Sequence, residues 1–426
     1  MNVLIIGAGG REHAIVWALK KEKGIKNIFC APGNAGTSFI SQNINISPEN
    51  IDELLKFAKE KEIDLTIVGP EIPLVNGITD VFKKAGLKIF GPDKRAAMLE
   101  GSKSFTKELL RKNKIPTAGF EKFNDYNKAI SFIKDNKKYP IVVKADGLAA
   151  GKGVLICNDE FEAISAVNDI MVKKIFKDAG DTVVIEEFME GEEASILAFV
   201  DGKNVLLLPP SQDHKRIYDD DKGPNTGGMG AYSPTPLITP ALLNIIKNKI
   251  LIPTLEGLLK ENIIYKGVLY AGLMITKEGP KVLEYNCRFG DPETQSILPL
   301  IDGELTDIFM SCINGNMKDK QLKIKNKFAV NVVLSSSGYP GKYETGKEIT
   351  GIEKFNDRED IIVFHAGTKI ENGKIVTNGG RVLNFTAIDN NIESTIAKVY
   401  NNINEIKFEG VYFRKDIGKK ALKYLQ

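Results

Sequence analysis

Cysteine, histidine and tryptophan are scarce here: four, three and one among 426 residues. Cys30, Cys157, Cys287 and Cys312 include no close C-x-x-C pair. That excludes a disulfide frame or a zinc site and fits free thiols in a reducing cytosol. No Ser–His–Asp or Cys–His pattern is present for nucleophilic catalysis. A charge excess of one sign is lacking too: Lys plus Arg is 58, Asp plus Glu is 55, and the net charge is +3. A nucleic-acid partner would require a clustered basic excess. No apolar run reaches the length of a bilayer span. The start, Met1-Asn-Val-Leu-Ile-Ile-Gly7, enters an apolar strand without the basic, apolar and cleavage regions of a secretion signal. The expectation is a soluble cytoplasmic protein with no nucleic-acid and no membrane partner. Nothing sets the oligomeric state, for which a monomer is the default.

What is present is ordinary globular composition, 42% apolar and 27% charged, in a chain too long for one core. The N-terminal part alternates apolar runs with helical stretches. Val3–Ile6 ends in Gly7-Ala8-Gly9-Gly10, Asn27–Cys30 in Pro32-Gly33-Asn34-Ala35-Gly36, Leu65–Val68 in Gly69-Pro70-Glu71, and Lys88–Phe90 in Gly91-Pro92. Helical patterns fill the gaps near Arg11–Lys20 and Pro48–Lys61. Strand, glycine turn and helix in repetition predict an open parallel α/β sheet, with ligands beyond the carboxyl ends of its strands. A small α/β unit follows, with strands at Ile141–Lys144, Gly153–Cys157 and Thr182–Phe188. Ser195–Ile297 has antiparallel character and a helix near Ala241–Leu259. After a polar break at Asn314–Asn326, strands Ala329–Ser335, Ile361–His365 and Gly380–Ala387 and a helix Ile392–Ile406 predict a small α+β unit.

The chemistry gathers in a few strings. Lys144-Ala-Asp-Gly147-Leu-Ala-Ala-Gly151-Lys152-Gly153 lets backbone fold over phosphates and adds two lysines. It is not a Walker A loop, being one residue short and lacking Ser or Thr after Lys152. A flexible hairpin is the plainer reading. A lysine closing an apolar strand weighs against it, because its charge needs a partner in a cleft. In Val183-Val-Ile-Glu186-Glu187-Phe188-Met189-Glu190-Gly191-Glu192-Glu193, an apolar strand ends in acidic residues. Such an edge can offer backbone to an adenine and a carboxylate, Glu193, to a ribose; alone it would read as a solvated turn. In Glu284-Tyr-Asn286-Cys-Arg288-Phe-Gly290-Asp291-Pro292-Glu293, residues 284, 286 and 288 share one strand face. Two oxygen donors, Glu284 and Asn286, suit Mg²⁺ completed by phosphate and water. Arg288 can hold a carboxylate through two parallel hydrogen bonds.

The string Arg288-Phe-Gly-Asp-Pro-Glu-Thr-Gln295 resembles the signature of the GAR synthetases, the phosphoribosylamine–glycine ligases of the ATP-grasp superfamily. The resemblance runs along the whole chain, through Gly9-Gly10-Arg11-Glu12-His13, Ser211-Gln212-Asp213-His214-Lys215, Asn225-Thr-Gly-Gly-Met-Gly230 and Phe364-His365-Ala-Gly-Thr368. It implies ATP and Mg²⁺ (or Mn²⁺) as cofactors and glycine and 5-phosphoribosylamine as substrates. It implies a phosphoribosylamine-binding domain at 1–102, an ATP-grasp core at 103–122 and 190–326, a mobile lid at 123–189 and a C-terminal domain at 327–426. By the resemblance, Lys103, Lys144, Lys152, Glu186, Glu187, Phe188, Met189 and Glu193 hold ATP. Glu284 and Asn286 hold the metal, and Asp213 and Arg288 hold glycine. Gly10, Gly33, Asn34, Gly36, Pro70 and Glu71 face phosphoribosylamine. Val268–Thr276, the strand before Glu284, has no Asp or Glu, so a third metal ligand from there is not expected.

The activity implied is ATP-dependent ligation through glycyl phosphate, in de novo purine biosynthesis. Lys144, Lys152 and Arg288 would offset charge during phosphoryl transfer. Rival readings are another ATP-grasp carboxylate–amine ligase or a carboxylase, a nucleotide-binding regulator without turnover, and a dinucleotide-dependent oxidoreductase. The last is disfavoured because Glu12 occupies the place of the third glycine. His13 and His365 read as packing residues, Trp17 as core, and His214 as equally consistent with binding and packing.

Overall fold

The computed structural model describes residues 1–148 and 153–425. Asn2–Gly7 is the middle strand of a five-stranded parallel sheet, flanked by Asn27–Pro32 and Gln42–Asn43 on one side and Leu65–Val68 and Ile89–Phe90 on the other. Its residues alternate between two cores. Val3 and Ile5 meet the helices Gly10–Leu19 and Leu305–Asn314, while Leu4 and Ile6 meet Ile51–Glu60 and Ile78–Lys84. A strand covered on both faces needs an unbroken apolar run, which is why this sheet is readable in sequence. Each such fully buried side chain contributes about 1.5–3 kcal/mol. Trp17 packs against the first core, edge-on to Phe364 at 5.6 Å.

The second sheet is antiparallel: Val205–Leu207, Glu192–Asp201, Lys266–Thr276 and Gly279–Asn286. It is fused to the first through Phe90, Phe199, Phe289 and Phe309, with Phe90 and Phe309 only 4.4 Å apart. A nearly continuous helical run, Pro240–Ile246 through Ile252–Lys260, packs on its other face with Lys103–Lys112. The region expected to be the lid folds as an antiparallel sheet of Val183–Glu187, Ile141–Ala145 and Val154–Cys157, joined at its edge by Phe120–Phe123 from just before the expected boundary at 123, with Tyr126–Asp135 and Glu160–Val167 behind it.

The C-terminal sheet runs Gln212–Asp213, Gly230–Ser233, Phe328–Ser335, Arg381–Asp389 and Ile361–His365, under the helix Ile392–Asn402. Its first two strands come from the segment expected to stay within the central unit, so the chain crosses over before its last hundred or so residues. The helix ends at Asn402 and breaks into a tighter turn at Ile403–Glu405, short of the expected Ile406. A hairpin, Thr368–Glu371 with Lys374–Thr377, was not expected.

Candidate active site

Lys144 stands opposite Val154 and Val184 in the middle of the lid sheet. Val143 and Ala145 enter the lid core, so alternation turns Lys144 toward the central sheet. Its Nζ lies 2.9 Å from Glu186 Oε1 and donates to the Leu283 carbonyl at 3.4 Å. The second contact joins lid to central strand. Lys107 takes the other Glu186 oxygen at 2.8 Å. All three side chains are buried. Burial pulls the Lys107 ammonium down to about 8, with Glu186 opposing. The Glu186 carboxylate is thus engaged by two lysines. Removing Glu186 would strand two buried lysine charges, at a cost of about 3–5 kcal/mol.

Lys103, at the start of its helix, donates to the Gly147 carbonyl at 2.8 Å. Asp146 accepts from the Ser104 hydroxyl at 2.6 Å and from the Ser104 N–H at 3.1 Å. These bonds tie the near side of the glycine loop to the core. Lys152 lies outside the described residues. The strand Val183–Glu187 ends with the Glu187 N–H on the Gly119 carbonyl at 2.9 Å. Phe188 and Met189 then leave the ladder, and Phe188 is exposed.

On the facing strand, Glu284 pairs with Gly272 and Val282 with Leu273, so Leu283 is a bulge residue that re-aims the strand end. Burial favours a neutral Glu284. Lys215, Lys144, Lys103 and Arg288 outweigh burial and hold its carboxyl below the usual range. An ionised oxygen pair facing this cleft fits a magnesium ligand. Asn286 Oδ1 accepts from Arg288 Nη2 at 3.1 Å and keeps a second lone pair. No carboxylate stands across from Glu284, since Gly272 is there. Among the described residues no cluster of three His, Cys, Asp or Glu could hold a metal. A bound cation would rest on two protein oxygens, with phosphate and water completing its shell.

Arg288 meets two carboxylates: Glu71 Oε2 at 3.3 Å from Nε and Glu100 Oε1 at 2.9 Å from Nη2. Burial lowers its affinity for a proton, but Glu100 and Glu71 more than restore it. Burial pushes the Glu100 carboxyl up to about 7 against the pull of Arg288. Glu71 is driven upward by burial, yet Arg288 and Arg11 hold it below its ordinary value.

Asp213 is buried, and its carboxyl is pushed up to about 7 by burial first and then by Glu293, Glu193 and Glu284, with Lys215 opposing. Lys215 Nζ sits 2.5 Å from Glu193 Oε2. Asp213 and Lys215 share a face, and His214 between them points the other way. That ring lies 6.1 Å from Tyr232, and neither nitrogen has a partner among the described residues. Burial, then Lys420 and Arg414, bring it down to about 3. Burial thus favours the neutral ring.

The N-terminal turns are packed by protein. A Cβ on Gly10 would collide with the amides of Asn384 and Gln295, one on Gly36 with His13 and His365, and one on Gly33 (φ +73°) with Asn43. The Asn34 amide donates to the Ala8 and His365 carbonyls, both at 2.9 Å, and accepts from the Thr37 N–H at 3.0 Å. It clamps two turns and the C-terminal sheet, where the sequence suggested a substrate contact. His13 Nδ1 accepts from the His365 N–H at 2.8 Å, so both histidines are structural. Glu12 accepts the Gly9 N–H at 2.5 Å and fills the space beside Gly7 and Gly69. A dinucleotide pyrophosphate would need that space, so the oxidoreductase reading fails. Pro70 precedes the short helix Glu71–Val75, which presents Glu71 to Arg288.

Sequence reasoning missed Glu100, Lys107, Glu293, Tyr270 and Arg381. Glu293 accepts from Tyr270 at 2.8 Å and Ser195 at 3.1 Å. Arg381 donates to the Asp291 carbonyl at 2.8 Å and the Gly227 carbonyl at 2.5 Å, fastening the C-terminal sheet to the site. Asp291 and Glu293 stood inside the signature string without a role. Glu100 and Lys107 sit alone in helices, with no local signal.

Residues 1–100, 101–294 and 329–420 match the N domain, the ATP-grasp (A) domain and the C domain of phosphoribosylglycinamide synthetase. The chain is 51% identical over 417 residues to a phosphoribosylamine–glycine ligase of Caldanaerobacter subterraneus, covering 98% of this chain and 99% of that one. A crystal structure of phosphoribosylamine–glycine ligase from Thermotoga maritima superposes with a TM-score of 0.86 at 37% identity, covering 98% of this chain and 100% of that one. A biotin carboxylase from Campylobacter jejuni has the same fold, with a TM-score of 0.76 at 14% identity over 98% of this chain and 94% of that one. With lid lysines, strand-end donors and a full-length match in agreement, the chain belongs to the phosphoribosylglycinamide synthetase family, the phosphoribosylamine–glycine ligases.

Proposed function

We propose that this chain joins glycine to 5-phosphoribosylamine at the expense of ATP, giving glycinamide ribonucleotide, ADP and phosphate through glycyl phosphate, in the cytoplasm. The observation that carries this reading is the meeting of the two halves of the cleft. Lys144 reaches the carbonyl of Leu283, beside Glu284, and Lys103, Lys144 and Lys215 all act on Glu284. In this reading residues 1–102 serve phosphoribosylamine, 103–122 and 190–326 the nucleotide and glycine, 123–189 the lid, and 327–426 the closing wall.

A carboxylate repels nucleophiles, so glycine has to be activated. Lys103, Lys144 and Lys152 bind and neutralise the phosphates of ATP. Phe188 and Met189 offer main-chain groups to the adenine, and Glu193 faces the ribose. Asp213 takes glycine's ammonium and Arg288 its carboxylate, which aligns one carboxylate oxygen with the γ-phosphorus. Mg²⁺ or Mn²⁺ held by Glu284 and Asn286 would supply charge neutralisation on the phosphates. The amine of phosphoribosylamine then attacks the acyl carbon and phosphate leaves. Positioning and electrostatics carry the reaction and no enzyme nucleophile is needed. The lid excludes water from an acyl phosphate that would otherwise hydrolyse.

ADP release should require glycine and phosphoribosylamine together, and should fall to background when either is omitted. Comparable release with bicarbonate in place of glycine would favour a carboxylase, whose fold this chain shares.

A further inference from the structure

The guanidinium of Arg288 has five N–H donors; three donate to protein acceptors, and the Glu100 carboxylate stands against a fourth as an ion pair. Nε faces Glu71 at 3.3 Å, Nη2 faces Asn286 at 3.1 Å and Glu100 at 2.9 Å, and Nη1 faces the Phe289 carbonyl at 3.3 Å. A substrate carboxylate held on two points needs two N–H groups; with Glu100 covering the second Nη2 donor, only one stands unobstructed. A third carboxylate would also crowd a guanidinium that two already neutralise, and like charges at this range repel strongly out of water.

One protein carboxylate therefore has to withdraw. Glu100 is fixed: its side chain is 7% exposed and its other oxygen holds the Cys287 N–H at 2.7 Å. Glu71 is the looser partner. Its contact is longer, its side chain is 26% exposed, and it begins the short helix after the Gly69-Pro70 turn.

We propose that Glu71 is a displaceable stand-in for the carboxylate of glycine. It keeps Arg288 charge-balanced while the site is empty. The sugar hydroxyls of phosphoribosylamine draw it away, which returns Nε–H to the cleft, so that two N–H groups face glycine instead of one. Occupancy of the sugar-phosphate site thereby strengthens glycine binding through a single side chain. The proposal rests on the assignment of Arg288 to glycine.

The test is calorimetric titration of glycine into the full chain, with and without ribose 5-phosphate as a non-reacting probe of the sugar-phosphate site. Ribose 5-phosphate should tighten glycine binding to the unmodified chain about tenfold or more, the worth of one charge-assisted hydrogen bond. Glu71→Gln should bind glycine that tightly without the probe and gain less than about twofold from it. Glu100→Gln should keep the coupling. An unmodified chain indifferent to ribose 5-phosphate, or a Glu71→Gln chain that binds glycine weakly until the probe is added, overturns the proposal. Arg288→Gln separates the two claims. If it binds glycine normally, the assignment of Arg288 falls. If it loses glycine while Glu71→Gln stays coupled, only the stand-in role falls.

Discussion

Asp213, Glu100 and Glu284 are carboxylates withdrawn from water, yet their neighbours set them apart. Glu284 faces four cations that hold its carboxyl below the usual range, which suits the metal-binding role proposed for it. Asp213 faces three carboxylates and one lysine, and its carboxyl sits near 7. Below that pH it is protonated and cannot pair with glycine's ammonium. The KM for glycine should therefore fall as pH rises through about 7, and Asp213→Asn should raise KM and flatten the profile. A pH-independent KM in the unmodified chain would contradict the assignment. Arg288→Lys exchanges a planar fork for a point charge. Its KM for glycine should rise about tenfold or more while nucleotide affinity stays within about twofold. Equal loss of both would remove Arg288 from the glycine site.

At the scale of elements, the turns of the parallel sheet are clamps. Asn34→Ala would leave the partly buried Ala8 carbonyl and the buried His365 carbonyl without their donor. That should cost about 1–3 kcal/mol and lower Tm with little change in nucleotide affinity. An unchanged Tm would show that the clamp does not hold. How far the sequence could be read follows the same physics. Parallel strands buried on both faces leave apolar runs, so Val3–Ile6 and Leu65–Val68 stand out. Two-residue strands such as Gln42–Asn43 and Gln212–Asp213 carry no periodicity, and only distant partners define them. Glu284 and Asn286 could be grouped because one strand spaces them by two; Arg288, expected on the same strand, lies just past its end and is brought to the group by its contact with Asn286. Glu100 could not, since its partner at Cys287 is 187 positions away and no local pattern encodes that meeting. Asn34 and Glu186 are ambiguous in sequence for a related reason. A polar residue at a strand end looks the same in sequence whether it faces a ligand or a buried protein partner.

At the scale of the molecule, each unit contributes to one cleft: Glu71 and Glu100 from the N-terminal part, Lys103 from the helix packed on the central sheet, Lys144 from the lid sheet, Glu284 and Arg288 from the central part, and Asp213 and Arg381 from the C-terminal sheet. Such convergence suits a reaction of three substrates that must exclude water. The central claim is that ATP phosphorylates glycine's carboxylate inside this cleft before the amine attacks. Turnover with glycine labelled by ¹⁸O in its carboxylate tests it most directly, read by mass spectrometry of the released phosphate. An acyl phosphate route transfers one labelled oxygen to each phosphate formed. Unlabelled phosphate, with the label retained in the product or lost to water, would contradict the account.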